Sequence, residues 1–497
     1  MREYIPQISN LLNGVWDGLP FLLPEFILTI TFLLTIFSGF AQKERSTITW
    51  CFTFIGIVLA GVAAVMQRFS PAVEPVFFGM ILPDANGSTL KALVSAVCLL
   101  FCIFVYYNQP LQNHSKKIDD LLSVLLAIHI GLNLMTVAVN WLMAYITIEM
   151  VSIGSYIMVA YLSRNNKQSE AAMKYVLFGT VCSAIMLYGL SLFYGYTGSL
   201  NFVDPHHLSA LAMMPFPVFI LAMLFVLTGI GFKLSFVPFH FWSPDVYQGA
   251  PTPVTAFLST APKIGAIMLL GRFVLAWSQE TDIGLPAPLF YLLVAVAIFS
   301  MLLGNLVAIR QSNMKRMMAY SSIGHTGFLM MIILADTERS FPVLFFFLTS
   351  YVIMNMGVFM LADYLEEKFG LVEITEYKGL GKSHPFVMSV LTLFMVSLIG
   401  LPPTIGFVAK LLTFSALLNA YQANGDTAWL LLLITGAITT VVALFFYFKI
   451  PLQAFLKNTN NEAKQEVHTN ALLFVVFLLG FLSLLLGIFP SFVLNLL

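Results

Sequence analysis

Charge is scarce in this chain. Of its 497 residues, 10% are Asp, Glu, Lys or Arg, whereas 59% are hydrophobic. Soluble domains carry about 25% charged residues, so the composition excludes a soluble protein with one anchor and indicates a polytopic membrane protein. The 24 basic and 24 acidic residues give a net charge of +0, which argues against a nucleic-acid partner.

Cysteine and cofactor motifs are scarce too. The four thiols lie in apolar segments without a CxxC pair or a Cys/His cluster: Cys51, Cys98, Cys102 and Cys182. We interpret them as small buried thiols rather than disulfide or iron–sulfur ligands. No GxGxxG motif follows a strand, so we expect no cofactor and no metal on this chain. The N-terminus lacks a basic region followed directly by an apolar core, and we expect no cleaved signal peptide.

Long apolar segments fill most of the chain. A helix needs about 20 apolar residues to cross a hydrocarbon core of about 30 Å. Windows of that length predict fourteen segments, near residues 21–40, 50–67, 88–108, 120–138, 141–162, 170–197, 214–242, 253–277, 287–309, 317–335, 342–364, 385–420, 428–450 and 470–495. The sequence therefore predicts an all-α integral membrane protein with fourteen transmembrane helices.

The basic residues between these segments favour one orientation. One side of the membrane receives fifteen of them: Lys43, Arg45, Lys116, Lys117, Arg164, Lys167, Arg310, Lys315, Arg316, Lys368, Lys378, Lys382, Lys449, Lys457 and Lys464. The other side receives five: Arg2, Arg68, Lys91, Arg272 and Arg339. The positive-inside rule makes the first side cytoplasmic, and both termini are then predicted to face outward.

Four lysines fall inside predicted segments: Lys174, Lys233, Lys263 and Lys410. Glu149 is the acid at mid-segment. The last three lysines and this glutamate would together cost roughly 10–14 kcal/mol if left unpaired in the membrane. One acid cannot neutralise three bases, whereas a lysine held between an apolar site and a carboxylate can change its protonation state. We therefore interpret Glu149 and Lys233 as parts of a proton relay.

Three other ionisable residues allow two interpretations each. Lys174 follows Glu170 by four residues, where it could pair along the helix, snorkel or serve transport. His240 falls at the cytoplasmic end of its segment, where it could bond near the interface or admit protons. His325 lies nearer mid-segment, in AYSSIGHTGFLMM, as a member of a hydrated path or as a packed histidine.

The seventh and twelfth segments are too long to be straight helices. They span 29 and 36 residues, or roughly 43 and 54 Å at 1.5 Å per residue. Both contain glycine and proline close to a lysine, in TGIGFKLSFVPFHFW and SLIGLPPTIGFVAKLL. Proline removes a backbone hydrogen bond, and freed carbonyls are tolerated only beside protein or water. We therefore predict that helices 7 and 12 are broken.

The two broken helices are five positions apart in the order of segments, the seventh and the twelfth, so they have opposite orientations. This pattern is typical of inverted repeats. The predicted organisation has four parts: N-terminal helices at 1–119, a first five-helix repeat at 120–277, an inverted second repeat at 287–450 and a last helix at 470–497.

Five stretches carry a resemblance to a known family: EAAMKYVLFGT (170–180), GFKLSFVPFHFWSPDVYQGAPTPVTAFLSTAPK (231–263), RMMAYSSIGHTGF (316–328), YKGLGKSHP (377–385) and GLPPTIGFVAK (400–410). They resemble subunit N of bacterial proton-pumping NADH:quinone oxidoreductase, respiratory complex I. The resemblance implies an antiporter-like module that moves a proton outward when quinone is reduced elsewhere in the complex. It also implies a non-redox subunit of that enzyme, without an electron-transfer site of its own.

The resemblance further implies partners and residue roles. The partners would be other membrane subunits of complex I, including sister antiporter-like subunits, and lipid of the bacterial cytoplasmic membrane, with NADH and quinone reached only through other subunits. Matched by motif, the relay consists of the fifth-helix glutamate, its seventh-helix partner, the central eighth-helix lysine and a twelfth-helix lysine leading to the outer exit: Glu149, Lys233, Lys263 and Lys410. Lys174 and His325 match further motif positions.

Other functions are compatible with the embedded charges. A subunit of a multisubunit Na⁺/H⁺ antiporter would share the fold and the buried Lys/Glu pair. A membrane scaffold would use the charges only to lock helix packing. A membrane enzyme with its own active site is disfavoured, because no nucleophile, metal cluster or cofactor loop is apparent in the sequence.

Overall fold

The computed structural model describes residues 5–41, 47–114, 118–162, 166–280, 284–335, 340–457 and 471–495. These residues form helices and loops, without strands beyond isolated bridges. The helices are α1 (Ile5–Gly18), α2 (Leu23–Ala41), α3 (Thr47–Arg68), α4 (Ala85–Tyr107), α5 (Gln109–Gln112), α6 (Ile118–Val137), α7 (Trp141–Val159), α8 (Asn166–Thr197), α9 (Pro205–Ala212), α10 (Phe216–Leu234), α11 (Trp242–Gly249), α12 (Thr252–Glu280), α13 (Ala287–Ala308), α14 (Met314–Ala335), α15 (Ser340–Phe369), α16 (Leu380–Ser383), α17 (Pro385–Ile399), α18 (Ile405–Asn424), α19 (Thr427–Pro451), α20 (Ala471–Ile488) and α21 (Ser491–Leu494).

The predicted all-α membrane architecture is confirmed. Within the described ranges, thirteen helices are long and apolar enough to cross a membrane. The remaining predicted segment, 385–420, is divided between the shorter apolar helix α17 and helix α18. Together these account for the fourteen predicted segments.

The two predicted breaks are present and have a local cause. Helix α10 ends at Leu234, where Ser235 takes the left-handed conformation (φ 57°), and α11 resumes at Trp242. Helix α17 ends before Gly400 (φ 89°), and α18 resumes at Ile405. Prolines lie in both gaps and donate no backbone hydrogen bond. Lys233 lies just before the first break in the chain, whereas Lys410 lies just after the second.

Three helices form the centre of the bundle. The apolar 18-residue stretches of α12, α14 and α15 are 100%, 94% and 89% buried inside the bundle, whereas those of α2, α3 and α20 are 28–39% buried. The peripheral helices display large apolar side chains such as Phe40 and Phe474, as expected of surfaces facing lipid or other subunits. The centre is therefore where charges are most shielded from lipid and water.

Three predictions about individual residues are wrong. Cys51 is exposed on α3 rather than buried. Lys91 and Arg272 do not lie between membrane segments: Lys91 is fully buried within α4, and Arg272 is 8% exposed within α12. Both cations lie near an end of a predicted segment, Lys91 in 88–108 and Arg272 in 253–277, and they were counted with the outer side although these segments include them. Several of the other cations used for orientation lie outside the described residues: Arg2, Lys43, Arg45, Lys116, Lys117, Arg164, Arg339 and Lys464.

Candidate functional site

Glu149 and Lys233 lie on neighbouring helices but do not touch. Glu149 is half-buried on α7, and its Oε1 accepts a hydrogen bond from Ser183 Oγ on α8. Lys233 is 2% exposed near the end of α10, and its Nζ has no hydrogen-bond partner among the described residues. No ion pair of 4.0 Å or less joins the two side chains. The predicted pair is therefore indirect.

Aromatic rings surround the Lys233 ammonium instead. Its Nζ lies 6.0 Å from the ring centre of Tyr156, 5.9 Å from that of Tyr175 and 5.5 Å from that of Phe232. Ring faces attract a cation at such distances, by about 0.5–2 kcal/mol. This attraction stabilises the charged lysine less than a carboxylate in contact would.

Tyr156 is on the same helix as Glu149, and its ring lies beside Lys233, a position that sequence reasoning missed. It follows Glu149 by seven residues and Ser152 by four, so the three side chains share one face of α7. Its hydroxyl is buried without a hydrogen-bond partner in the described chain. A tyrosine hydroxyl can both donate and accept a hydrogen bond, and this one lies on the helix of Glu149 with its ring 6.0 Å from Lys233 Nζ. The i, i+3, i+7 spacing in the sequence was the available signal.

Lys263 is bonded to the break in the seventh segment through one residue. Its Nζ donates to the Ser322 carbonyl oxygen at 2.7 Å and to Thr326 Oγ1 at 2.8 Å. Thr326 Oγ1 in turn donates to the carbonyl oxygen of Leu234 at 2.8 Å. That carbonyl is one of those that the end of α10 leaves without a helical partner. Lys263 is thus linked through one hydroxyl to the backbone of Leu234, the residue that follows Lys233, whereas the Lys233 ammonium takes no part in these bonds.

His325 belongs to a polar group on α14, beside the lysine site. It is 6% exposed, and its Nε2 lies 3.5 Å from the hydroxyl oxygen of Tyr447, which also contacts Ser321. One turn away, Ser322 Oγ accepts a hydrogen bond of 2.8 Å from Tyr351. These residues are all within the buried centre. Sequence reasoning had placed His325 beside the polar Ser322 and Thr326, but it missed Tyr351 and Tyr447, which are uncharged and distant in sequence.

Lys410 lies at the break in the twelfth segment. Its Nζ donates to the carbonyl oxygens of Leu398 and Ile399, at 3.1 and 2.8 Å, and lies 5.1 Å from the ring centre of Phe328. The carbonyls belong to the last turn of α17 and have no helical partner of their own. Phe328 follows Thr326 by two residues on α14. One helix, α14, therefore contacts both Lys263 and Lys410.

Lys174 lies apart from this line, in a cluster of ions at the predicted cytoplasmic side. Its Nζ contacts Glu170 at 2.8 Å and Asp245 at 2.6 Å. Arg316 contacts the other oxygen of Asp245 at 2.5 Å. Burial alone would raise the pKa of Asp245, but hydrogen bonds and charges from the two cations outweigh it and lower that pKa below its usual 3.8. Sequence reasoning identified the Glu170 contact and missed Asp245.

His240 borders a cavity beside this cluster. The cavity has a volume of about 460 Å³ and is also lined by Lys174, Asp245 and Arg316. His240 is 5% exposed, and its Nδ1 has no hydrogen-bond partner among the described residues. The cavity brings titratable groups to the side of the bundle from which the predicted relay would be loaded.

The aromatic rings around Lys233 lie next to the ion cluster of Lys174, Asp245 and Arg316. Tyr175 follows Lys174 directly and stacks on Trp242, with ring centres 4.5 Å apart. Trp242 Nε1 donates to the carbonyl oxygen of Phe232 at 2.9 Å. A shift of the ion cluster can thus move the rings around Lys233. No three His, Cys, Asp or Glu residues of the described ranges come together as a metal-binding group.

A membrane bundle with two interrupted helices and a line of buried lysines defines an antiporter-like class of transport subunit. The family described as NADH:quinone oxidoreductase/Mrp antiporter matches residues 138–443. The chain is 37% identical over 480 residues to NADH-quinone oxidoreductase subunit N 2 of Chloroherpeton thalassium, covering 94% of this chain and 91% of the relative. It is 34% identical to subunit N of Chlorobium chlorochromatii, covering 96% and 93%.

Solved structures share the fold. A chain of respiratory complex I from Thermus thermophilus is 27% identical, with a TM-score of 0.77 and coverage of 95% of this chain and 99% of that one. A chain of the Mrp complex from Dietzia sp. DQ12-45-1b, 19% identical with coverage of 96% of both chains, has a TM-score of 0.79 and shows likeness of fold alone. The chain belongs to the NADH:quinone oxidoreductase/Mrp antiporter family.

Proposed function

We propose that this chain is the antiporter-like subunit N of a bacterial NADH:quinone oxidoreductase and carries protons outward while other subunits transfer the electrons. The observation that supports it most is the hydrogen-bonded link from Lys263 through Thr326 to the carbonyl oxygen of Leu234, at the helix break beside the buried Lys233. Relatives over nearly the full length of the chain carry the name of that subunit.

The proposed relay begins at the cytoplasmic side. Protons reach the cavity bordered by His240 and pass to Lys233 along waters admitted by the break after Leu234. The carboxylate of Glu149 favours the ammonium form of Lys233, and the Tyr156 ring lies beside Lys233. When the electrostatic support from Glu149 weakens, an N–H bond of Lys233 breaks and an O–H bond forms on water or hydroxyl.

The second half of the relay runs along α14. Lys263 accepts the proton at Nζ in its neutral amine form, and it then becomes the ammonium that donates to Ser322 and Thr326. His325 and Tyr447 lie between this site and Lys410, from which the proton leaves toward the predicted outer face. Lys174 tunes the entrance through Asp245 rather than carrying the proton itself.

The assembly follows from the same proposal. The chain would pack against other membrane subunits, including sister antiporter-like ones, and against lipid of the bacterial cytoplasmic membrane. NADH and quinone would act through other subunits, and both termini would face outward. The exposed apolar side chains of α2, α3 and α20 are suitable for such contacts.

The test is proton translocation by the assembled complex in proteoliposomes. Glu149→Gln and Lys233→Met should each lower the number of protons moved per NADH oxidised, while Lys457→Met, at an exposed position outside the relay, should not. Unchanged stoichiometry in assembled Glu149 and Lys233 variants would refute the proposed relay.

A Mrp-type antiporter subunit is the second candidate, because the matched family and the fold include that class. The two functions predict different partner subunits for this chain. Co-purification with NADH-oxidising subunits supports the first, and co-purification with small antiporter subunits together with Na⁺-dependent proton exchange supports the second.

A further inference from the structure

A second buried ion pair lies in the N-terminal helices, outside the family match at 138–443. Glu25 of α2 and Lys91 of α4 contact each other at 2.7 Å, and their side chains are 7% and 0% exposed. Gln67 of α3 adds its Oε1 at 3.4 Å from Lys91 Nζ. Three helices therefore enclose a carboxylate and an ammonium that the relay proposed above does not use.

Polar side chains flank this pair along α4 and α6, both toward the outer end and toward the middle of the membrane. They occupy one face of α4 and one face of α6: Ser88, Lys91 and Ser95 on the first, and His129, Asn133 and Thr136 on the second. Ser95 Oγ lies 3.1 Å from His129 Nε2, and Thr136 Oγ1 lies 3.5 Å from the Gly87 carbonyl oxygen. Because the helices are antiparallel, these two contacts set the register and put Asn133 level with Lys91.

Several atoms of this cluster are buried without a protein partner. They are Glu25 Oε2, Ser88 Oγ, His129 Nδ1 and both polar atoms of the Asn133 side chain, in the part of the chain that the structure describes. The residues that carry them are 0–5% exposed. Buried polar groups are normally satisfied by protein or by ordered water, and polar sites of this kind hold water. The cluster is therefore suited to a short chain of water beside the ion pair.

The charged groups around the pair differ in their chemistry. At the outer end of α4, Asp84 is in contact with Arg272 of α12, whose Nε donates to the Thr136 carbonyl oxygen at 2.8 Å. A guanidinium does not give up its proton in proteins, so that pair is fixed in its charged form. Glu25 and Lys91 can both become neutral when one N–H bond breaks on Lys91 and one O–H bond forms on Glu25. Two neutral groups avoid the desolvation penalty of a buried ion pair.

The pair lies close to one face of the membrane. Glu25 is in the first turn of α2, Gln67 in the last turn of α3 and Lys91 in the second turn of α4. These helix ends share the side that the basic residues predict to be outward. Other titratable groups on the facing helices are His129 on α6 and the thiols Cys98 and Cys102, farther along α4.

We propose that Glu25 and Lys91 form a second proton-exchange site, open to the outer side of the membrane and continued inward by Ser95 and His129. In the charged state the proton is on Lys91. In the neutral state it is on Glu25, which passes it to the outer aqueous phase, and Lys91 takes up another from the water beside Asn133 and His129. The inference rests on the proposed function, because it assigns the chain a second point of proton release.

The first test is Lys91→Arg in the intact complex. Arginine keeps the positive charge and the contact with Glu25 but cannot shed a proton. We expect complex that assembles and oxidises NADH to move fewer protons per NADH oxidised in proteoliposomes. Native stoichiometry in assembled Lys91→Arg complex would overturn the proposal.

A double variant covers the case in which arginine is too large for the site. Glu25→Gln with Lys91→Met removes both charges together, so no ion is left unpaired. We expect assembled complex with lowered proton stoichiometry, whereas a purely structural pair predicts native stoichiometry. Failure of both the arginine and the double variant to assemble would assign the pair to stability and overturn the proposal.

Two controls separate this site from the rest. Asp84→Asn with Arg272→Gln removes the neighbouring pair that cannot exchange a proton, and we expect its proton stoichiometry to remain native. Lys233→Met tests the proposed function in parallel. A loss in the Lys233 variant with none in the Lys91 variants overturns only the second site, whereas native values in all of them overturn the proposed function as well.

Discussion

Replacing Thr326 by valine tests the link between Lys263 and the helix break beside Lys233 most selectively. Valine keeps the shape of threonine but removes the hydroxyl that accepts from Lys263 Nζ at 2.8 Å and donates to the Leu234 carbonyl oxygen at 2.8 Å. Lys263 keeps its bond to the Ser322 carbonyl oxygen at 2.7 Å, so its ammonium is not left without a partner. The change therefore removes the link between Lys263 and the carbonyl oxygen of Leu234, a link used by the proposed relay, and leaves the lysine in place.

The size of the effect follows from the bonds removed. A hydrogen bond to a charged group contributes about 1.5–3 kcal/mol. If that stabilisation is lost where the proton arrives at Lys263, transfer slows by roughly 10- to 150-fold, since about 1.4 kcal/mol is a factor of ten. The lost bond to the Leu234 carbonyl affects local stability more than transfer, because water admitted by the break can replace it.

The assay compares proton uptake with NADH oxidation in proteoliposomes containing assembled complex. We expect Thr326→Val to lower proton uptake per NADH oxidised, and Thr326→Ser, which retains the hydroxyl, to stay near the native value. Equal stoichiometry in the valine and serine variants would refute the role of the hydroxyl.

Three further predictions concern neighbouring features. Tyr156→Phe keeps the ring near Lys233 but removes the hydroxyl, so proton uptake per NADH should fall while assembly is retained; native uptake would contradict this. Asp245→Asn should lower the stability of the complex by about 1 kcal/mol or less, as for partly exposed ion pairs. Because the pKa of Asp245 in the folded state lies below its usual 3.8, the ionised carboxylate stabilises the fold above pH 3.8, and this stabilisation is lost as the pH falls through the folded-state pKa. The difference in thermal midpoint between native and variant complex should therefore vanish on acidification. Gly406→Ala would bring a Cβ within 1.8 Å of the Ser397 carbonyl oxygen and should prevent assembly, whereas Gly195→Ala, with no atom within 4 Å of the added Cβ, should assemble normally.

The sequence was most informative where a costly residue interrupts an apolar run. Lys233, Lys263 and Lys410 were identified because a charge in a membrane helix is energetically costly. Prolines near Lys233 and Lys410 located the breaks. The structure brings Lys263 and Lys410 to α14, and it bonds Lys410 to carbonyls of α17, the other half of the same broken segment. Hydropathy and charge alone thus located the buried lysines.

The connections between these residues were not predictable in the same way. Thr326 and Tyr156 are uncharged, so only packing reveals that Thr326 bonds Lys263 and that the Tyr156 ring lies beside Lys233. Lys91 was counted with the outer side because it lies near the end of a predicted segment, and its contact with Glu25, distant in sequence, was not predictable. The separation of Glu149 from Lys233 is likewise a property of how α7 and α10 pack, which no spacing along one chain determines.

The most direct test of the central claim is the number of protons translocated per NADH oxidised by assembled complex carrying Lys233→Met. The proposed relay predicts a lower number than in native complex at retained NADH oxidation, with Lys457→Met unchanged. A native number in the Lys233 variant would contradict it.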